Sequence, residues 1–169
     1  MKFEIKPHIG TNEISFGMTR NEVHMKLGKP SFSKDKSVFE FNDVVIPEPA
    51  KDGYYENELQ ISYDENECVE FIEFSGKSSE HTKVFWNGID IFKTPAPQLL
   101  KSISALSNAN YDEKDNEIPY SYTFNDIDLG LWRSVIPNVD ETLMDVPESD
   151  EGKYFWTVGI GSIGYYKNA

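Results

Sequence analysis

Cysteine, histidine, basic runs and long apolar stretches are what this chain has least of. Cys68 is the only cysteine in 169 residues, so no internal disulfide and no cysteine-rich metal site can form, and a reducing compartment is expected. Of the three histidines, His8, His24 and His81, none stands at metal-ligand spacing from another or from Cys68. The opening Met1-Lys2-Phe3-Glu4-Ile5-Lys6-Pro7 places charges at alternate positions, which predicts no secretory signal, and no later window approaches the ~20 apolar residues of a membrane helix. Cytoplasmic residence without a membrane partner is the resulting expectation. Bases are outnumbered by acids, 16 Lys and Arg against 29 Asp and Glu, for a net charge of −13. Both halves share the excess and no basic cluster interrupts it. Nucleic acid, which needs a strong local positive field, is therefore not an expected ligand.

What the chain does have is aromatic material for a core, 14% Phe, Trp and Tyr, and local signals that are chemically complete. Within Ile14 to Pro30, Thr19 and Glu22 have the spacing of a capping box: the Thr19 side chain accepts from the Glu22 N–H and the Glu22 carboxylate accepts from the Thr19 N–H. Met18 and Val23 occupy hydrophobic-staple positions, Gly28 supplies a left-handed stop and Pro30 blocks continuation, so a helix over 19–27 is predicted. A strand or arm at Phe3 to Ile5 precedes it. Period two follows. Ser37 to Phe41 alternates, Leu59, Ile61 and Tyr63 share one face, and Val69 to Phe74 is the partner strand across the turn Asp64-Glu65-Asn66-Glu67. Val45 to Gly53, with two prolines and a glycine, reads as a loop.

The order of parts then recurs. Val84 to Phe92 holds a short strand, and Thr94 reads as the cap of a second helix with Pro95 and Pro97 in its first turn, where missing N–H groups cost nothing. Ala96, Leu99, Leu100, Ile103 and Leu106 fall on one helical face, and Asn108 is the left-handed stop. Strands are expected from Tyr120 to Phe124 and Asp126 to Trp132, with a last pair from Tyr154 to Tyr166. The fold class is α+β: one compact domain over 1–169, made of two tandem helix-plus-antiparallel-sheet halves, 1–83 and 84–169. Hairpins of this length cannot bury a face alone, so the halves should share a sheet or a core.

Few residues carry reaction chemistry. Gly159-Ile160-Gly161-Ser162-Ile163-Gly164 has the spacing of a dinucleotide-phosphate loop, but only five residues follow it, too few for the helix and the acidic residue that such a loop needs. Glycines at bulges or a tight turn of a terminal strand pair account for it. His24 reads as a surface or half-buried packing residue and Cys68 as a buried thiol; a Cys68–His nucleophile is the enzyme alternative. The acids are more telling. Asp140, Glu141, Asp145, Glu148, Asp150 and Glu151 fill a segment from Pro137 to Gly152 with no base, and Asp112, Glu113, Asp115 and Glu117 form a second cluster. Neither supplies the alternating acids and sixth-position glycine of a calcium loop. Solvated loops explain them; so does a surface that steers and holds a basic protein, with Tyr111, Tyr120, Tyr122 and Tyr154 as anchors if exposed and as core if not.

The string Phe16-Gly17-Met18-Thr19-Arg20 with Glu22-Val23, Leu27-Gly28 and Pro30 resembles the opening of immunity proteins that accompany bacterial polymorphic and contact-dependent growth inhibition toxins. The strands Leu59 to Tyr63 and Val69 to Glu73, then Gly88 to Phe92, Ile127 to Trp132 and Tyr165-Tyr166, extend that likeness as a pattern over most of the chain. The same spacing resembles the helix-plus-strands unit of small-protein-A lipoproteins and β-lactamase inhibitor proteins. These resemblances imply a scaffold that binds protein and performs no catalysis. The expected partner is a cognate toxin C-terminal domain with a basic surface, such as a nuclease cleft, which the ten acids named above would cover. No cofactor or metal is implied. The alternatives are an acidic nucleic-acid mimic, another protein-binding module, and a small enzyme using Cys68.

Overall fold

The computed structural model describes residues 1–42, 44–76, 79–136 and 152–167. Its elements, in chain order, are β1 (Lys2–Lys6), β2 (Gly10–Thr11), α1 (Arg20–Leu27), β3 (Phe32–Lys34), β4 (Ser37–Phe41), β5 (Val44–Glu48), β6 (Ala50–Tyr54), β7 (Leu59–Tyr63) and β8 (Val69–Ser75). Then come β9 (Lys83–Trp86), β10 (Ile89–Asp90), α2 (Ala96–Ser107), β11 (Ser121–Phe124), β12 (Leu129–Trp132) and β13 (Thr157–Gly161). The fold is α+β and rich in sheet. One sheet runs β11-β12-β13-β8-β7-β6-β3, antiparallel throughout; a second runs β10-β9-β1-β2 with β1 and β9 parallel; β4 and β5 form a sheet by themselves.

Cross-strand register explains why the large sheet has a dry face. Leu59, Phe74, Val158 and Leu131 stand side by side in one row, and Ile61, Ile72, Ile160 and Leu129 in another, so two apolar rows cross four strands. All of these side chains are buried. Phe3 of β1 lies on this face, its ring centroid 4.9 Å from that of Phe74, and the same core takes Val23 of α1, Trp86 of β9 and Leu99 and Ile103 of α2. Each such side chain contributes ~1.5–3 kcal/mol by leaving water, which is why short hairpins hold here and would not alone.

The first helix forms as its sequence specifies. The Thr19 side chain accepts from the Glu22 N–H, and the Glu22 carboxylate accepts from the Thr19 N–H at 2.8 Å. Gly28 then ends it at φ +82°. At the second helix Thr94 is not the cap. Its hydroxyl donates to the Asp90 carbonyl at 2.6 Å, Pro95 takes the N-cap position, and the Ala96 N–H is satisfied by the carbonyl of Lys153 at 2.9 Å, a tertiary bond. Leu106 is exposed: at ~100° per residue it lies roughly 80° off the line of Ala96, past the edge of the buried stripe. Asn108 is left-handed, as read.

Two further expectations are corrected. Val45 to Gly53 is not a loop but most of β5 and β6; both strands of a two-stranded sheet are edges, where Pro47 needs no N–H partner. The last pair from Tyr154 to Tyr166 is one strand, β13, followed by turns. Its glycines leave room for rings and do not mark bulges. A Cβ on Gly159 would stand 2.5 Å from Phe71 Cζ and 2.9 Å from Tyr166 Oη, and one on Gly161 would stand 2.3 Å from Tyr165 Cβ. The C-terminal turn thus folds back over the outer face of β8 and β13. No helix among the described residues is long and apolar enough to cross a membrane.

Candidate functional site

The tightest polar construction in the fold begins at Arg20, the first residue of α1. Asp52, in the centre of β6, is fully buried, and a carboxylate there requires partners on every side. It has them: Arg20 Nη2 donates to Oδ1 at 2.8 Å and Nε to Oδ2 at 3.1 Å, Ser33 Oγ donates to Oδ1 at 2.6 Å, Tyr63 Oη donates to Oδ2 at 2.9 Å, and His24 Nε2 lies 2.7 Å from Oδ2. Burial alone pushes Asp52 upward, but these hydrogen bonds outweigh it and hold the carboxyl at about 2. Arg20 also reaches Asp35 at 2.9 Å. A serine, a histidine and an aspartate converge here, yet Ser33 donates straight to the carboxylate and not to His24, so no proton relay to a nucleophile is formed. The network is a buttress that fixes α1, β3, β6 and β7 to one another.

The other histidines also turn to carboxylates. His81 Nδ1 lies 2.9 Å from Glu58 Oε1, and His8 Nδ1 lies 3.4 Å from Asp128 Oδ2. Burial pushes Glu58 up, but bonds from the His81 ring, the Glu80, His81 and Thr82 amides and the Thr82 hydroxyl hold it at about 2. Cys68 is half-buried, and the bond its Sγ makes is to the Asn66 carbonyl at 3.8 Å. Among the described residues no group of three or more His, Cys, Asp and Glu side chains could hold a metal.

Beyond Tyr63 the buttress supports a cleft of about 740 Å³ between the β4–β5 hairpin and the edge of β7 and β8. Its hairpin wall is apolar: Val38, Pro47 and Pro49. Its floor is Tyr63 and Tyr165, the latter stacked on Phe71 with centroids 4.6 Å apart. Asp64, Glu65 and Glu70 form the opposite wall, with Glu48 and Lys36 at the hairpin base. Glu48 is occupied by Lys34 at 2.6 Å and by the Ser37 hydroxyl at 2.7 Å. Burial, and then the neighbouring Asp64 charge, push Glu70 above the ordinary carboxyl value.

Of the acids read from the sequence, Asp140, Glu141, Asp145, Glu148, Asp150 and Glu151 lie outside the described residues. Asp112, Glu113, Asp115 and Glu117 are all exposed in the turns between α2 and β11, where the Asp112 and Asp115 carboxylates accept from the Lys114 and Glu117 amides. They do not line the cleft. Of the four tyrosines, Tyr122 is buried and Tyr111 packs edge-on against it at 4.9 Å; Tyr120 is exposed and Tyr154 half-buried. Sequence reasoning missed the cleft although a signal was present. Val38, Phe39, Val44, Val45 and Ile46 put apolar side chains on both faces of a hairpin, more than a single core contact can use.

No protein-family model and no curated protein matches the chain. The crystal structure of the uncharacterized protein yfeY from Escherichia coli is similar over 95% of this chain and 99% of that one, with 14% sequence identity and a TM-score of 0.46.

Proposed function

We propose that this chain is a binding protein without catalysis of its own, whose partner is another protein carrying positive charge. The observation that carries this reading is an exposed apolar hairpin standing over an acid-walled cleft in a chain of net charge −13. Exposed apolar area rimmed by charge marks an interface, and complementary charge speeds and orients encounter. The biological role proposed is immunity: a cytoplasmic protein covering the basic active-site surface of a cognate toxin domain, a nuclease being the class whose own cleft must be cationic. The resemblance of residues 14–30 to toxin-immunity proteins supports that role. The exposed acids Asp112, Glu113, Asp115 and Glu117 would add long-range attraction, as would Asp140, Glu141, Asp145, Glu148, Asp150 and Glu151.

The finer architecture belongs to the same proposal. Three antiparallel strands, β6-β7-β8, follow α1 and three, β11-β12-β13, follow α2, and the two sets abut through β8 and β13; we read them as tandem halves sharing one sheet. The test is co-expression with a panel of contact-dependent toxin C-terminal domains. Growth rescue against one domain, with a 1:1 complex in vitro that weakens as salt rises, is expected. Failure of the chain to rescue growth or to bind any cationic toxin domain overturns the immunity role.

A further inference from the structure

Among the described residues, five exposed large apolar side chains gather on the β4–β5 hairpin: Val38, Phe39, Val44, Val45 and Ile46. Val38, Val44 and Val45 are 62, 57 and 59% exposed, and Ile46 is 47% exposed. The hairpin forms a sheet of its two strands alone, although an isolated pair with apolar faces is marginal in water. Register sorts its faces: Val38 opposes Pro47 and Glu40 opposes Val45, so these four share the face that looks into the cleft. The cleft therefore continues outward along a strip of Val38, Pro47 and Val45, with one acid, Glu40, opposite Val45 at its outer end. Across from it stand Asp64, Glu65 and Glu70; burial first, and then the Asp64 charge, push the Glu70 carboxyl above its ordinary value.

Two unlike walls select one kind of occupant. An extended segment presents alternate side chains to opposite sides, so one side meets aliphatic surface while the other meets carboxylates. A second copy of this chain is a poor occupant, because it brings a further net charge of −13 to an acidic wall. The floor is pre-formed: Tyr63 is tied through its hydroxyl to Asp52, and Tyr165 is stacked on Phe71, so little ordering is lost on binding. We propose that the Val38–Pro47–Val45 face and the cleft beneath it bind an extended segment of a protein partner in which lysine or arginine alternates with aliphatic residues. This rests on the protein-binding reading above and names its surface and the chemistry of its partner.

The probe is a short acetylated peptide alternating lysine with valine, titrated into the full chain labelled for methyl and amide resonances, with a glutamate–valine peptide as control. The lysine peptide should shift Val38, Val45 and the Tyr63 and Tyr165 amides, and the combined Asp64→Asn, Glu65→Gln, Glu70→Gln variant should weaken binding about tenfold. Val38→Asp with Val45→Asp, both at exposed positions, should abolish it. Equal binding of the glutamate peptide, shifts confined to other surfaces, no binding at all, or a dimer of the free chain that buries Val38 and Val45 would each overturn the proposal. The two readings fail separately. Rescue from a toxin domain that persists in the double aspartate variant removes the cleft and leaves immunity standing; peptide bound in the cleft with no rescue by any toxin pairing does the reverse.

Discussion

Replacing Asp52 by Asn tests the buttress beneath the cleft. The substitution keeps shape and one acceptor but removes the charge on which Arg20, Ser33, His24 and Tyr63 converge. Breaking a buried pair by neutralising one member costs ~3–5 kcal/mol, and Asp35, still 2.9 Å from Arg20, favours the lower end, about 3 kcal/mol. At ~2–4 °C per kcal/mol for a domain of this size, the melting temperature should fall by about 9 °C. The pH dependence gives a sharper check. Asp52 sits at about 2 in the fold against ~3.9 in an unfolded chain, a difference of about 2.6 kcal/mol at ~1.4 kcal/mol per tenfold. Because the folded value is depressed, this stabilisation is complete above ~pH 5 and is lost as pH falls toward the folded value. The advantage of wild type over Asp52→Asn should therefore shrink from about 3 kcal/mol near neutral pH to below about 1 kcal/mol near pH 2. Glu58, also at about 2, is present in both proteins and cancels in the difference. Urea unfolding followed by tryptophan fluorescence, with the buried Trp86 as a reporter, measures it. A difference under about 1 kcal/mol at neutral pH, or one that does not change with pH, refutes the reasoning.

Four other substitutions probe separate parts. Glu58→Ala leaves the Glu80, His81 and Thr82 amides without their acceptor and should lower stability by about 2 kcal/mol in thermal unfolding. The His81 ring is raised by its bond to Glu58, so its contribution exists below its unfolded value and disappears as pH rises past the folded one; the gap between wild type and His81→Gln should be wider at about pH 5.5 than at about pH 9. Gly159→Ala forces Phe71 and Tyr166 outward and should cost ~1–3 kcal/mol, less in a Tyr166→Ala background, as a double-mutant cycle would show. Thr19→Ala removes the first helix cap and should cost ~1 kcal/mol, read from the urea midpoint.

Local chemistry was legible where a segment carries its whole instruction within a few residues. The capping box at Thr19 and Glu22, the hairpin around Asp64 to Glu67, the buried stripe Leu99, Leu100 and Ile103, and the stop at Asn108 all form as their residues specify. The readings that failed depended on a distant partner. Thr94 lost the cap to Pro95 because the Asp90 carbonyl claims its hydroxyl and Lys153 satisfies the helix amide. Gly159 and Gly161 serve aromatic rings from the C-terminal turn.

Residue order alone was enough for the α+β class, the two helices and most strands, because capping bonds and side-chain alternation are short-range and need no neighbour from elsewhere in the chain. It also determined the negative field, which is a sum over composition. Long-range packing was needed for Asp52 of β6 to gather Arg20 and His24 of α1, Ser33 of β3 and Tyr63 of β7, and for β4 and β5 to stand apart over an acid-walled cleft. Those features depend on which strands pair across the sheet, and pairing is chosen by the whole core at once.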